Sequence, residues 1–435
     1  MPMPRILVAA LLAAALSPPW AGAAHLDYSL ELSAGHSDNV NQSALDPVGS
    51  DMLAPRLRFD LDQQGASLAA RAAGDIRYLH YLDGGFGNQA LADLDAQLDW
   101  AILPQRLHFV LEDSASVQPV DVLQPDSPAN VQQVNVVSLG PTVQFRLGAT
   151  LTGQADVRVI DSRASKNDAF DSLRELGAFR AIHRLSPTTT LSANLDAQHV
   201  HFTSGLPDVA NGGDYDRYNL YGRYHSTLAS LDLDLDLGYT RLETDSGASR
   251  SSPLARGRLE WRATPRSRLR VELVRRYSDA AEDLGEVDFN RMPAFTDSLL
   301  VGDATIGAGV YLIRRAEVGY AHEGDTFSIA FAPYWQQLDY LFDSALDESA
   351  RGAAFDASFR PRPLWTIGIS AAGERRTYRS IDRRDDDLRA GLFLAQRLSR
   401  HWSWRLDLLR NRRSSTAPLQ GFSENVALFT LVFTR

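Results

Sequence analysis

From Leu231 to Tyr239 the chain reads Leu-Asp-Leu-Asp-Leu-Asp-Leu-Gly-Tyr, with Leu231, Leu233, Leu235, Leu237 and Tyr239 on one parity and Asp232, Asp234 and Asp236 on the other. An extended backbone sends successive side chains to opposite faces, so this stretch predicts a strand with one apolar and one charged face. A helix would scatter both classes around its circumference. The unit recurs at about every twenty residues. Ala92, Leu94, Ala96, Leu98 and Trp100 oppose Asp93, Asp95, Gln97 and Asp99, and Leu57, Phe59 and Leu61 oppose Arg56, Arg58, Asp60 and Asp62. The weakest segment is 173–181, where Leu176 and Ile182 fall on the parity opposite to Leu173 and Phe179.

Along the chain the pattern predicts about twenty strands, within a range of 18 to 20, separated alternately by short turns and longer polar connectors. Long links are expected at 118–133 and, longest of all, at about 278–313, a segment long enough for a lumen plug, an inserted subdomain or an extra hairpin. The run Asp385-Asp386-Asp387 reads as a solvated loop. Solenoid repeats carry fixed letters at fixed offsets, whereas here only the alternation returns. A propeller or sandwich would fill its inner parity with large apolar residues and would need to protect sheet edges. The fold expected is therefore all-β, a transmembrane antiparallel up-and-down barrel, in which closure satisfies every backbone group and lipid lies against the apolar parity.

Tryptophans and tyrosines orient that barrel. Trp100 and Trp261 close strands that run into short turns, and Trp365, Trp402 and Trp404 open strands that leave them. Tyr78, Tyr218, Tyr239 and Tyr277 fall toward the long connectors. Amphipathic rings collect at bilayer interfaces, so two aromatic girdles are expected, with the short turns periplasmic.

Composition changes the picture in three places. The chain has 435 residues, 44% of them hydrophobic, and a mean hydropathy of −0.23. Alternation averages away in a hydropathy window, so that value does not exclude a membrane barrel. Residues 1–23 combine Arg5, the apolar run from Ile6 to Leu16 and a small-residue site at Ala21-Gly22-Ala23, which predicts a secretory signal peptide followed by a single barrel domain over 24–435. There is no cysteine, hence no disulfide framework or thiol chemistry, and the net charge of −10 argues against nucleic acid as a partner.

The candidate lumen residues are charged groups of the inner parity. Asp232, Asp234 and Asp236 are expected within cross-strand reach of Arg256, Arg258 and Arg262, followed by Arg268 and Arg270, with Asp93, Asp95 and Asp99 on an earlier strand. Two readings stand: a salt-bridged wall that keeps the barrel wet and rigid, or a charged track for a polar or anionic polymer. His199 and His201 share one face but offer no third metal ligand, and the chain has no Gly-x-Ser-x-Gly elbow. No catalytic residue, metal or cofactor is expected, although a barrel enzyme that modifies lipids would use such a histidine with a nearby serine. Arg375, Arg410 and Arg412 continue the outward parity beyond the apolar stretch, where anionic lipid head groups, including lipopolysaccharide, would meet them. Phe433 keeps outward parity, and Thr434 and Arg435 after it are expected to be a tolerated extension of an assembly signal.

Gly35-His36-Ser37-Asp38-Asn39-Val40 and Arg314-Arg315-Ala316-Glu317-Val318-Gly319-Tyr320, the latter following Gly302-Asp303, resemble two stretches of a family of outer-membrane β-barrel porins associated with exopolysaccharide and PEP-CTERM/exosortase loci. The resemblance implies a barrel that passes exported polysaccharide or assists its passage, inserted by the barrel assembly machinery and served by periplasmic polysaccharide export proteins. It supplies no catalytic residues. The alternative function is a general or sugar-selective diffusion porin.

Overall fold

The computed structural model describes residues 24–83, 85–203, 213–285 and 309–435. The predicted signal segment 1–23 and most of the 278–313 connector lie outside the described residues. Twenty antiparallel strands form one closed sheet. β1 (His25–Ser37) leads to the pair β2 (Ser50–Gln64) and β3 (Leu68–Tyr81), then β4 (Gln89–Leu103) with β5 (Leu107–Pro119), and β6 (Val131–Arg146) with β7 (Leu151–Ala164). Next come β8 (Ser172–Ser186) with β9 (Thr189–Phe202), β10 (Tyr215–Thr227) with β11 (Leu231–Thr244), and β12 (Ser249–Thr264) with β13 (Ser267–Asp279). The last third holds β14 (Val310–Glu323) with β15 (Phe327–Tyr340), β16 (Glu348–Arg362) with β17 (Trp365–Tyr378), β18 (Arg383–Arg397) with β19 (Trp402–Ser415), and β20 (Phe422–Thr434). Each strand pairs with the next, and β20 returns to β1.

Turns of two to four residues join the strands at one end, where both β1 and β20 have their free ends; at the other end the connectors run from four to thirty residues. Closure gives every strand a neighbour on both sides, which is the condition for a sheet that spans hydrocarbon. The seam extends past Phe433: Arg435 N–H donates to the Tyr28 carbonyl at 2.9 Å and its own carbonyl accepts from Tyr28 N–H at 3.0 Å, while Thr434 N–H donates to the His401 carbonyl. Thr434 and Arg435 are thus part of the ladder rather than an appendage to it.

The alternation sorts the wall as the pattern demands. Leu235, Leu237 and Tyr239 are exposed on the outside, while Asp236, Thr240 and Leu242 of the same strand are buried on the inside. Outward glycines sit beneath cross-strand aromatics: a Cβ at Gly153 would meet the Phe145 ring at 2.4 Å, and one at Gly74 would meet Phe59 at the same distance. The ring covers the gap that the missing side chain leaves, a device that lets a barrel wall curve without losing packing. Leu176 and Ile182 of β8 lie inside, opposite Gln198 and Ser192 in register, so the ambiguous parity of that segment reflects two apolar residues on the lumen face.

Several strands run further toward the long-connector end than the hydrophobic pattern indicates, because ladder pairing continues where the outward residues become polar. Asp385, Asp386 and Asp387 are therefore strand residues of β18, not a loop. Asp385 is buried and accepts from Arg383 at 2.7 Å, and Asp387 takes a two-pronged bond from Arg413 at 2.7 and 3.1 Å. Alternation of apolar letters cannot see a strand end whose two faces are both charged.

Removing Thr434 and Arg435 deletes the two bonds to Tyr28, each worth about 1 kcal/mol net. The expected result is a folded barrel that loses its heat-resistant compact mobility on gels at a lower temperature than the full chain. An unchanged transition would show that the ladder ends at Phe433.

Candidate functional site: a bridged lumen mouth

The charged lumen face is organised as neighbouring pairs. Asp236, 3% exposed, accepts from Arg223 of β10 at 2.6 and 2.8 Å and lies 2.9 Å from Arg256 of β12. Asp232 accepts from Arg262 at 3.1 Å, and Arg270 sits 3.7 Å from Glu260. Asp234 departs from the expected pairing with the next strand, since its partner is the His225 ring on β10 at 2.6 Å. Arg258 stands between Asp234 and Glu272 in register without being bonded to Asp234, whose oxygen the imidazole holds. Arg268 faces Arg262 directly across the strands. On the earlier strand Asp93 accepts from Arg77 at 2.7 Å, Asp99 pairs with His108, and Asp95 lies opposite Ala73 and Ser114 in register.

At the short-turn end the inward residues are exposed, among them Arg146, Arg184, Arg268 and Arg397. At the other end the inside is filled. Two hairpin tips leave the wall and turn into the mouth, and the ladder records where each one departs. β12 and β13 pair as far as Ala255 and Arg275; beyond that point Ser249–Leu254 pairs with β11, and Arg276–Asp279 with β14. Likewise β4 and β5 pair as far as Leu94 and Ala115, after which Ser116–Pro119 follows β6.

The β13–β14 tip folds so far inward that its outer face becomes buried. Tyr277, Val310 and Leu312 share the parity of outward Leu273 and Val318, yet they pack in one cluster with Val200, Tyr215 and Leu242 from the inner faces of β9–β11. Tyr277 is consequently a core residue and not a member of the rim girdle expected for it. Beyond the tip, the helix α1 (Ala280–Gly285) places Ala281 against Val134 and Val136 of β6.

A buried ionic network holds this finger. Arg174 of β8 grips Asp279 through both terminal nitrogens at 2.6 and 2.7 Å, and Tyr215 donates to the same carboxylate. Asp279 also accepts from the backbone N–H of Ala281 and Glu282, which makes it the N-cap of α1. Arg217 and Arg276 both donate to Glu282, at 3.0 and 2.6 Å, and Arg276 and Tyr311 both donate to Asp283. Three arginines thus face three carboxylates, so the cluster is neutral and each charge is paired, the condition under which burial is tolerable. The sequence signal for this cap was Asp279-Ala280-Ala281-Glu282, an acidic N-cap followed three residues later by glutamate.

The second intrusion is the segment 120–130. Asn130 stitches it internally through bonds to the carbonyls of Asp121 and Pro125 at 2.9 and 3.0 Å. The segment then reaches the far wall: Arg389 of β18 donates to Asp126 at 3.2 Å, Tyr378 of β17 donates to the Val122 carbonyl at 3.4 Å, and Gln420 donates to Gln124. Burial pushes the Asp126 carboxyl above the usual range in spite of Arg389, Arg413 and Arg376 nearby. A cavity of about 50 Å³ adjoins it, with Met52, Tyr81, Leu91 and Val426 in its walls. The mouth is therefore bridged from two directions, by an apolar and ionic finger and by a polar cross-strut.

Trp100, Trp261, Trp365, Trp402 and Trp404 all lie toward the short-turn end, with Trp365 edge-on to Trp404 at 5.9 Å and Trp402 against Phe433 at 5.2 Å. Tyr78 and Tyr239 are exposed toward the other end. His199 bonds Asp216 at 2.9 Å and His201 bonds Asp214, so each imidazole has a carboxylate and neither has a serine among its described partners. Among the described residues no group of three or more His, Asp or Glu side chains is arranged to hold a metal ion.

No family model matches the chain, and no curated protein matches it. Solved structures do. The FrpB iron transporter from Neisseria meningitidis, F5-1 variant, is similar over 94% of this chain and 82% of its own, at 10% identity and a TM-score of 0.47. A mutant of the ferric enterobactin receptor from Pseudomonas aeruginosa aligns over 95% of this chain and 81% of its own, at 11% identity and a TM-score of 0.47. OccK2 from Pseudomonas aeruginosa aligns over 94% and 98%, at 11% identity and a TM-score of 0.38.

Breaking the finger's anchor on one side should cost more than breaking it on both. Arg174→Leu leaves Asp279 buried without its partner, a loss of about 3–5 kcal/mol, whereas Arg174→Leu with Asp279→Asn should recover most of it. Hydrogen exchange in 276–285 reads the difference, and equal exchange in the two variants would remove the pair from the argument. The two intrusions should also answer pH in opposite senses. Burial opposes ionisation of Glu282, but Arg217 and Arg276 outweigh it and hold its carboxyl below the ordinary 4.5. Its contribution to seating α1 is therefore fully present above that ordinary value and is lost as pH falls through the lowered one. Asp126, raised, seats the cross-strut better as pH falls through its own value. Protease sensitivity of 120–130 should decline on mild acidification while that of 276–285 stays level; movement of both together would contradict the assignment.

Proposed function

We propose that the chain is an outer-membrane channel component through which exported polysaccharide passes, with the short turns in the periplasm and the bridged mouth at the cell surface. The observation that carries this reading is the contrast between the two ends of the lumen. One end presents exposed charged residues to the periplasm; the other is spanned by segments whose polar bonds to the far wall can be exchanged for bonds to a hydroxyl-rich polymer. The closed ladder and the apolar outer parity support insertion in a bilayer by strands, and a barrel of this kind reaches its place through the barrel assembly machinery. The resemblance of residues 35–40 and 314–320 to exopolysaccharide-associated porins supports the choice of cargo and of periplasmic export proteins as partners. The lumen pairs support the wall reading over an open charged track, because arginines already neutralise Asp232 and Asp236 and the His225 ring occupies Asp234.

A second reading has an observation of its own. The cross-strut 120–130 divides the lumen as a size filter would, which favours a diffusion porin for small solutes.

Planar-bilayer recordings separate these readings. The full chain should show small, intermittent conductance, and a variant in which 121–129 is replaced by a short Gly-Ser link should show larger and steadier steps. A strain lacking the chain should retain polymer in the periplasm. Normal secretion together with size-limited sugar uptake in liposomes would favour the porin; a barrel silent in both forms with normal secretion would refute both.

A further inference from the structure

One sector of the outer surface carries an excess of arginine over carboxylate. Toward the long-connector end of β16–β19 the outward positions include Arg351, Arg375, Arg384, Arg410 and Arg412, with a single carboxylate, Asp386, among them. Asp386 is already shared: Arg375 reaches it at 2.5 Å and Arg384 at 3.7 Å. Arg410 has a long contact with Asn425 at 3.4 Å, and Arg351 and Arg412 are exposed with no ion pair among the described residues. Register places Arg351 directly beside Arg375, a like-charged pair that favours a third, anionic party between them. The corresponding rim of β9–β11 is balanced, His199 against Asp216, His201 against Asp214 and Arg241 against Glu243.

Beneath these arginines the wall is shallow. Pro333, Ala353 and Gly373 follow one another in register on β15–β17, and Ala371 and Ala390 form the next row down, ending at Arg410. Trp335 stands beside Arg351 on one flank, and Leu388 beside Arg412 on the other. The result is an apolar shelf of small side chains fenced by guanidinium groups at its upper edge and one side. Acyl chain below and phosphate above is the ligand shape that such a surface matches, since arginine binds phosphate in two-pronged fashion.

We propose that this face of β16–β19 is a binding site for the phosphorylated head group of an outer-leaflet glycolipid, the lipid A portion of lipopolysaccharide. The shelf receives one acyl chain, and Arg351, Arg375 and Arg412 hold the phosphate above it. This inference rests on the proposed orientation, in which the long connectors face the cell exterior.

The test uses the full chain purified in detergent, bis-phosphorylated lipid A as the probe, and native mass spectrometry to count retained lipid. Arg351→Gln with Arg412→Gln should weaken retention by roughly tenfold or more, the effect expected for two charge-assisted bonds, while heat-modifiable mobility shows the barrel intact. Arg241→Gln on the balanced rim should leave retention unchanged. Dephosphorylated lipid A should bind as weakly to the full chain as lipid A does to the double variant, and phosphatidylglycerol reports whether any anionic lipid suffices. Equal retention by the full chain and the double variant overturns the site, as does preference for phosphatidylglycerol. The orientation is checked separately by protease access to the long connectors on whole cells, so a site that binds lipid A in detergent with those connectors protected would sink the orientation and spare the chemistry.

Discussion

Everything in this molecule depends on closure of one backbone ladder. In hydrocarbon a free strand edge leaves a row of donors and acceptors with nothing to bond, so twenty strands are stable only because β20 finds β1. That seam also fixes what the side chains must do. Once the ladder is closed, parity has a single meaning around the whole circumference, and a one-residue slip anywhere would turn leucines into the lumen and aspartates into lipid. The bonds between Tyr28 and Arg435 extend this constraint past the last aromatic residue.

Closure creates the second problem, an interior too wide for the side chains of opposite walls to meet. The protein solves it differently at its two ends. Near the short turns, neighbouring strands neutralise each other locally, as Asp232 does with Arg262, and the inward side chains stay exposed. Near the long connectors, backbone itself is sent inward. A hairpin can leave the wall there because its outer neighbour keeps a complete ladder with the strand on its other side, so β12 and β4 bear the exposed edges in a region already sheltered by the intruding tips.

The sequence displayed the strands because a period of two survives any amount of twist, and Leu231–Tyr239 needed no tertiary information to be read. It displayed most of the lumen face for the same reason. It offered a plug at 278–313 only as one of three possibilities and did not display how the tip enters the lumen. Tyr277, Val310 and Leu312 keep the outward parity of their strands and are buried only because the whole tip bends, which is a property of the fold and not of local pattern. Asp385 to Asp387 escaped recognition as strand because both faces are polar at that height. His225 as the partner of Asp234 was hidden because a charge ladder read from one strand to the next has no way to rank the strand behind it.

The plug and the outer arginines express one physical rule in two environments. Inside, Arg174, Arg217 and Arg276 are buried, so the chain provides a carboxylate for each and the cluster is neutral. Outside, Arg351 and Arg412 stand at the margin of the apolar band, where an unpaired guanidinium is costly unless the surroundings provide the anion. A protein under selection for stability alone would place acids beside them, as it did for Arg241 with Glu243. Their absence on one sector of the wall, above a shelf with room for a chain of methylenes, makes sense if the membrane itself completes the charge balance on that side.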